Sequence, residues 1–498
     1  MNTIPRKIIS IIETIENEGF SAYLVGGSVR DLILGTQPKD WDIATNGTPD
    51  EIEGIFGKLD EYRIEAVGKN HGTITLFESD NSRTALSEIT TFRIDGRYSD
   101  ARHPDSVKFS SSLSEDLRRR DFTINAIAMD KNGKIIDPLM GHKDIEERII
   151  KAVGDPAARF NEDALRILRG IRFEGELAEY DFLIDKKTEE MMLSCKKLLS
   201  KISKERIQAE FNKILLSEGA SFVLRKYQEI IEFIIGFSYQ DNLNLIGAIN
   251  PANKELGNSN SENKKLGNNN PANKELENNN LITKTKVLKI NLAILMCKVP
   301  ENKINEILKG LKYSKEIIKD VIFLISNKDE KLLINEIYAR KMLQKMGEDR
   351  LNMLIEFKKY YISAETVFIN EELCKEELEK EELEKEELCK DELKEEKYKK
   401  EIKEEVIKKE IEKIAEFKKL VKKQIDEGAC INRDMLEVDG NDIIKLGVKE
   451  GPEVGKALDF ALGEIIEGKI SNERESIIHC IKDFLMVYLD EGNRKEQD

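Results

Sequence analysis

The hydrophobic pattern of the chain changes once, and this change constrains the fold more than any other feature. Residues 1–150 alternate short apolar runs, which are typical of strands, with stretches of helical spacing. From about residue 156 onward, the spacing of apolar residues is almost wholly helical. The sequence therefore predicts the α+β class, with a small mixed α/β head at 1–150 followed by an all-helical remainder.

Five strands are predicted in the head, each a short apolar or β-branched run bounded by turn residues. They are Ala22–Val25, Trp41–Thr45, Arg63–Val67, Thr73–Phe77 and Thr84–Thr90. A helix is predicted before them at Pro5–Glu18, because proline suits the first helical position and Gly19 suits the stop.

Two low-complexity segments interrupt the helical remainder. A ten-residue repeat rich in Asn, Gly and Pro at 250–280 is predicted to be a disordered surface insertion, because it cannot bury a core. A five-residue repeat begins at Glu371, and its Glu–Lys spacing of four residues favours a solvated helix. Its leucines recur every five residues and form no stripe, so a coiled-coil partner helix is the less favoured interpretation.

Composition and charge bear on the class of protein. The net charge of −15 argues against a nucleic-acid partner, but 14 acidic residues and 8 lysines of that total lie in the repeat segment 371–400. No apolar run is long enough for a transmembrane helix. The six cysteines contain no CxxC and the four histidines lack metal-ligand spacing, which predicts a reduced, cytoplasmic protein without a His-based metal centre.

A glycine turn and two aspartates follow one another in the head. Gly26 and Gly27 separate a predicted strand from a predicted helix, so the backbone can approach a ligand and the helix N-terminus can bind an anion. Asp40 and Asp42 lie two residues apart on the next predicted strand, which places both carboxylates on one face. Oxygen ligands suit Mg²⁺, and the position after an anion-binding turn favours a metal site over an ordinary loop.

The stretch Arg118–Ala126 places three arginines before an aspartate. The functional interpretation assigns Arg120 to phosphates and Asp121 or Asn125 to a ribose. The alternative is a basic helix end without a ligand.

The stretch Arg159–Arg172 is predicted to form one helix. Four charged residues recur on it at every third position: Asp163, Arg166, Arg169 and Arg172. Because each step of three drifts about 60° from the helical repeat, Arg172 is expected nearly opposite Asp163. A salt-bridged surface helix is the alternative interpretation.

Together and in this order, these four stretches resemble the tRNA nucleotidyltransferase family, the CCA-adding enzymes of the polymerase-β-like superfamily. The bacterial type without a histidine-aspartate phosphohydrolase domain is the most similar. The resemblance covers about residues 1–240 and resumes near Val438–Gly455. It implies a catalytic nucleotidyltransferase head at 1–150, a neck with the nucleotide-recognition helix at 151–218, a helical body at 219–370 and a tRNA-binding tail at 416–498. The Asn-rich insertion at 250–280 and the Glu/Lys insertion at 371–415 depart from the family pattern.

The resemblance also implies roles for particular residues. It assigns Gly27 and Arg30 to the nucleotide phosphates, and Asp40 and Asp42 to catalysis through Mg²⁺. Arg120 is a further nucleotide contact. The recognition helix carries Asp163, Arg166, Arg169 and Arg172. The implied partners are the 3′ end of tRNA, CTP and ATP, with the chain a monomer or homodimer and no membrane partner.

One Asp and one Arg can select the base, because a carboxylate only accepts and a guanidinium only donates hydrogen bonds. Cytosine and adenine each offer an amino donor beside a ring-nitrogen acceptor, which matches Asp163 and Arg166. Uracil and guanine place a carbonyl where the amino group is needed, and leaving a buried polar pair unmet discriminates strongly. Arg172 is expected to be the least suited of the set to touch the base.

Several alternatives stay open. Within the superfamily they are A-only or CC-only addition and poly(A) polymerase. The segment 71–76 resembles CCA-adding enzymes more than the polymerase, and the loop segment 88–102 favours full CCA addition over CC-only addition. A catalytically inactive RNA-binding protein is disfavoured by the intact Asp40 and Asp42. A scaffold built on the charged repeat is disfavoured by its leucine period.

Overall fold

The structure, a computed structural model, describes residues 4–69, 72–79, 85–95, 107–249, 272–364 and 390–495. These residues form two compact units. The first runs to Asp241 and also includes Asn302–Ser314, and the second consists mainly of Lys274–Glu301 and the chain from Lys315 onward. None of the described helices has the length and apolar content needed to cross a membrane.

The strands lie in the first unit. They are β1 (Ala22–Val25), β2 (Asp42–Thr45), β3 (Tyr62–Glu65), β4 (Thr73–Glu78), β5 (Ser87–Thr91), β6 (Arg93–Asp95), β7 (Val107–Phe109), β8 (Ala128–Met129), β9 (Ile135–Ile136), β10 (Ile149–Ile150) and β11 (Leu183–Ile184). Seven of them form one sheet in the order β3-β4-β5-β2-β1-β8-β9, in which β2 and β5 are parallel and the other neighbours antiparallel.

All five strands predicted from the sequence are present, with small shifts at their ends. β2 begins at Asp42 rather than at Trp41. The predicted start of β5, Thr84, lies outside the described residues. The pattern missed the other strands of the head, β6 to β10, because strands of two or three residues are too short to show alternation.

The helices occur in both units. They are α1 (Arg6–Asn17), α2 (Gly27–Ile33), α3 (Pro49–Phe56), α4 (Leu113–Arg118), α5 (Gly141–Glu146), α6 (Pro156–Glu162), α7 (Leu165–Glu176), α8 (Lys186–Cys195), α9 (Lys204–Leu215), α10 (Ala220–Lys226), α11 (Gln228–Ile235), α12 (Leu243–Ile246), α13 (Ala272–Met296), α14 (Glu301–Gly310), α15 (Lys315–Ser326), α16 (Glu336–Met346), α17 (348–364), α18 (Lys390–Asp426), α19 (Gly440–Lys445), α20 (Pro452–Ile466) and α21 (Arg474–Lys495).

Local sequence explains the elements that frame the head. α1 follows Pro5 and buries an isoleucine stripe at helical spacing, which consists of Ile8, Ile11, Ile12 and Ile15. β1 lies between β2 and β8 and buries Leu24 and Val25, so it anchors the glycine turn that follows. This central position fixes where Gly26 and Gly27 begin α2.

The remainder after the head is mostly helical, as predicted, with one exception. β11 pairs in parallel with β10, so a short strand lies inside the segment that was expected to be all-helical. Of the Asn-rich repeat, residues 250–271 lie outside the described part of the chain. Residues 272–280 belong to α13, so the expectation of disorder is wrong there.

The charged repeat divides in the same way. Residues 371–389 lie outside the described residues, and 390–415 belong to α18, which agrees with the helix expected there. The four described cysteines, Cys195, Cys297, Cys430 and Cys480, are free thiols.

The end of the second unit has its own apolar core. α19, α20 and α21 bury Ile443, Ala461 and Ile477, around which other apolar side chains pack. A capping box fixes the start of α19, because the Asp439 carboxylate accepts from the backbone N–H of Asp442.

Candidate active site

The first unit encloses a cavity of about 550 Å³ that opens between the sheet, α2 and α7. Its wall carries eight arginines and four carboxylates, so cations exceed anions by four. The arginines are Arg30, Arg93, Arg119, Arg120, Arg166, Arg169, Arg172 and Arg206, and the carboxylates are Asp42, Glu88, Asp121 and Asp163. The cavity is therefore locally basic, although the chain carries a net charge of −15.

Asp42 begins β2 and lies opposite Glu88 of β5 in the parallel register. Burial raises the pKa of Asp42 to about 6; Arg120 opposes this rise, while the charges of Glu88 and Asp40 add to it. A cation among these carboxylates relieves their repulsion. The set fits Mg²⁺, which commonly uses one or two protein carboxylates and completes its shell with substrate phosphates and water.

The structure corrects the expected placement of Asp40. It lies before β2 begins, is exposed, and does not line the cavity, so the two aspartates do not share one strand face. Its charge nevertheless reaches Asp42, as the shifted pKa shows. Among the described residues, no group of three or more His, Cys, Asp or Glu side chains forms a ready-made metal cage.

The glycine turn places backbone directly against the charged wall. Gly26 has a φ of 72°, and a Cβ there would lie 3.1 Å from Nη1 of Arg120 and 3.6 Å from Oδ2 of Asp42. Gly27 begins α2, and Arg30 follows on the same helix. Nη1 of Arg30 donates to Oδ1 of Asn125 at 2.9 Å, which ties α2 to the turn at Thr123–Asn125.

A buried carboxylate orients the arginines after α4. Asp116 is fully buried and accepts bonds from Nε of Arg119 (2.9 Å) and Nη2 of Arg120 (3.1 Å). Burial alone would raise the pKa of Asp116, but the charges of Arg120 and Arg119 hold it below its usual range. Arg118, in contrast, is exposed and does not line the cavity.

Asp121 and Asn125 both line the cavity, and both also hold arginines. Oδ2 of Asp121 accepts from Nε of Arg169 at 2.7 Å. Burial by itself would raise the pKa of Asp121, yet Arg169 keeps it low, so the carboxylate is ionised. The assignment of either residue to a ribose stays a prediction.

The stretch Arg159–Arg172 is two helices, not one. α6 ends at Glu162, Asp163 is extended (φ −141°, ψ 104°), and α7 begins at Leu165. The Asp163 side chain causes the break, because Oδ1 accepts from the Leu165 backbone N–H at 3.0 Å. Because the helix is broken at Asp163, the expectation that Arg172 lies on the opposite side from it is wrong. Both residues line the same cavity.

Asp163 and Arg166 form ion pairs with other residues and not with each other. Oδ2 of Asp163 accepts from Nη2 of Arg206 at 2.8 Å. Nη1 of Arg166 donates to Glu162 at 2.7 Å, and its Nη2 donates to the Arg119 carbonyl at 3.1 Å. The two side chains therefore line one cavity without being paired to each other.

Sequence reasoning missed three contributors to the site. The spacing of Asp116 three and four residues before Arg119 and Arg120 was a usable signal. Glu88 and Arg206 gave no such signal in the sequence. Glu88 lies beside Asp42, and Arg206 beside Asp163, only in the folded chain.

A carboxylate pair across parallel strands, a glycine turn against the sheet and a surplus of arginines suit the binding of a divalent cation and an anionic nucleotide. Family models agree along the chain: "Poly A polymerase head domain" matches 22–151, "Probable RNA and SrmB-binding site of polymerase A" matches 181–229, and "tRNA nucleotidyltransferase domain 2" matches 283–481. The CCA-adding enzyme of Enterococcus faecalis is 35% identical over 378 residues, which cover 75% of this chain and 83% of that protein. The chain belongs to the family of CCA-adding enzymes.

Other relatives match a shorter region. The CCA-adding enzyme of a Geobacillus species is 46% identical over 219 residues, and the matched region spans 44% of this chain and 51% of that protein. The solved Bacillus stearothermophilus CCA-adding enzyme in complex with CTP has a TM-score of 0.62 at 25% identity, covering 97% of this chain and 98% of that one. The Thermotoga maritima CCA-adding enzyme complexed with tRNA shares the fold, with a TM-score of 0.55 at 18% identity and 97% of each chain covered.

Proposed function

We propose that this chain adds CCA to the 3′ end of tRNA without a nucleic-acid template, using CTP and ATP and releasing pyrophosphate. The observation that carries the proposal is the presence in one cavity of Asp42, the glycine turn, Asp163 and Arg166. Metal-binding carboxylate, phosphate-binding turn and base-reading pair thus surround a space of about 550 Å³. Relatives named CCA-adding enzymes support the same activity.

The phosphate end of the site is built from Gly27, Arg30 and Arg120. Arg30 is oriented by Asn125 and Arg120 by Asp116, so both guanidinium groups are held in place before a ligand enters. A surplus of four cations in the wall matches the charge of a nucleoside triphosphate.

Asp42, with Asp40 and Glu88 beside it, is the group of residues that would hold Mg²⁺. When bound there, Mg²⁺ would lower the pKa of the terminal ribose hydroxyl of the RNA and stabilise the charge of the leaving pyrophosphate. Burial raises the pKa of Asp42 to about 6 and the charge of Arg120 offsets only part of that rise, so a bound cation would favour the ionised carboxylate further.

The base end of the site is built from Asp163 and Arg166. Asp163 uses one lone pair on each oxygen for Leu165 and Arg206, which leaves acceptor capacity for an amino group of cytosine or adenine. Arg166 retains N–H donors for the ring nitrogen beside that amino group. Asp121 or Asn125 would contact the ribose, and Arg169 and Arg172 complete the nucleotide-binding wall.

The neck, body and tail at 151–218, 219–370 and 416–498 complete the proposal as the tRNA-binding part, and the protein acts in the cytoplasm as a monomer or homodimer.

Poly(A) polymerase is the second candidate, because the head matches a model described for that enzyme. The loop segment 88–102 favours full CCA addition over CC-only addition, and its residues 96–102 lie outside the described residues. His71, which begins the segment that resembles CCA-adding enzymes, also lies outside them.

The test uses tRNAs that end before, within and after the CCA sequence, supplied with CTP and ATP separately and together. The proposal predicts two additions of C from CTP alone and a single A only after both C residues are present. Addition of A alone, of C alone or of A runs would assign the chain to one of the alternatives.

Gly26→Ala is expected to lower the kcat/KM of CTP addition by about a hundredfold. The new Cβ meets Arg120 at 3.1 Å and displaces the guanidinium beside Asp42. Gly35→Ala is the matched control: its φ of 75° imposes the same backbone strain, but no described atom lies within 4 Å of the added Cβ. Equal losses in the two variants would mean that strain, not the crowded site, causes the effect.

Removing residues 371–400 is expected to leave the rate of CCA addition within about twofold of the full chain, because the Glu–Lys spacing predicts a solvated segment without a binding surface. Steady-state addition to tRNA measures this directly. A loss of activity in a protein that still unfolds at the temperature of the full chain would favour a partner-binding role for the repeat.

A further inference from the structure

Three guanidinium groups of the cavity wall lie against the ring of Phe173. It is only 6% exposed, yet it lines the cavity. The guanidinium carbons of Arg172, Arg169 and Arg30 lie 4.4, 5.4 and 5.7 Å from the ring centroid. All three distances are within the range of a cation–π interaction.

Arg172 depends on this ring more than its neighbours do. Arg169 and Arg30 hydrogen-bond to Asp121 and Asn125. The buried Nε of Arg172 has no hydrogen-bond partner among the described residues, and its carboxylate neighbours, Glu210 and Glu176, lie at 3.3 and 3.7 Å.

The ring also joins two parts of the site. Arg30 comes from α2, at the phosphate end, whereas Arg169 and Arg172 come from α7, at the base end. Three like charges this close repel one another, and the negative face of this buried aromatic ring offsets part of that repulsion. The ring of Phe122 meets that of Phe173 nearly at right angles, with centroids 5.8 Å apart, and fixes its orientation.

We propose that Phe173 is a positioning residue for nucleotide binding, whose ring face holds the arginines of α2 and α7 in one wall before the nucleotide enters. The inference rests on the proposed function and deepens it. If the ring loses its negative face, the repulsion between the three guanidinium groups is no longer offset. These groups then move apart, and the nucleotide-binding wall is no longer held in one arrangement. Affinity for CTP and ATP then falls together, while the preference for these bases over UTP and GTP is unchanged.

The test replaces Phe173 with phenylalanines that carry one, two and three fluorine atoms, and separately with Leu. Fluorine withdraws electron density from the ring face with little change of shape, so packing alone predicts no trend. We expect the dissociation constant of CTP and the KM of both nucleotides to rise stepwise, to about tenfold for three fluorines, with kcat within about twofold. Phe173→Leu is expected to reach or exceed the same rise.

Phe77 provides the matched control. It is 7% exposed and has the guanidinium of Arg63 at 4.1 Å, but it does not line the cavity. Fluorination of Phe77 is expected to leave CTP affinity unchanged. An unchanged CTP affinity across the Phe173 series would overturn the inference, as would an equal rise in the Phe77 series. A wild-type protein that binds CTP but transfers nothing to tRNA would instead overturn the proposed function.

Discussion

Asp42→Asn is expected to lower the addition of both C and A by at least about a thousandfold. The substitution removes the charge of Asp42, the least exposed of the three carboxylates Asp40, Asp42 and Glu88, while preserving the shape of the side chain. Asp42 is half-buried and lines the cavity, whereas Asp40 and Glu88 are exposed, so neither neighbour is expected to replace it. Single-turnover transfer from labelled CTP to a tRNA that lacks CCA gives the rate.

The controls for Asp42→Asn separate catalysis from folding and binding. Affinity for tRNA, measured by gel shift, is expected to stay within about twofold, because Asp42 lies on β2 of the head and not in the helical segments proposed to bind tRNA. Asp60→Asn removes an exposed carboxylate of the same head that does not line the cavity, and full activity is expected there. If Asp42→Asn kept a tenth or more of the wild-type rate, the assignment of the metal site would be wrong.

Asp163→Ala is expected to reduce the preference for CTP and ATP over UTP and GTP by at least about a hundredfold. Under the proposed function, the wild-type carboxylate rejects uracil and guanine because their carbonyl oxygens would face it without a hydrogen atom between. Alanine removes that penalty and also the amino-group acceptor, so correct addition slows while incorrect addition rises. Rates with each nucleotide alone, compared as kcat/KM, measure the change.

Asp163→Asn distinguishes base selection from loss of the local turn. Its side-chain oxygen can still accept from the Leu165 backbone N–H, so the break between α6 and α7 is retained. Its amide N–H₂ is a donor that suits the carbonyl of uracil or guanine. A preference shifted toward UTP and GTP supports the assignment, and an unchanged preference in both variants would contradict it.

Local sequence was enough to predict the frame of the site. The isoleucine stripe of α1 and the apolar run of β1 are dense local signals, and both elements are close to where they were expected. The glycine turn followed from the same frame, because a positive φ such as that of Gly26 favours glycine. The break at Asp163 was missed, since apolar residues keep their helical spacing across it and a single side-chain bond ends the helix.

Contacts between distant segments could not be predicted in the same way. Arg206 lies 43 residues from Asp163, and Glu88 meets Asp42 only after a chain crossover sets β5 beside β2. Phe173 gave no functional signal either, because its apolar spacing on α7 is that of an ordinary core residue. Its significance comes from the three guanidinium groups around it, two of which are near neighbours in sequence and one of which comes from α2.

The most direct test of the account supplies all four nucleotides at equal concentration to a tRNA that lacks CCA and sequences the 3′ ends of the products. The account predicts C, C and A in that order, followed by a stop, because one cavity accepts only bases with an amino group beside a ring-nitrogen acceptor. Products that end in U or G, or that extend as runs of A, would contradict it.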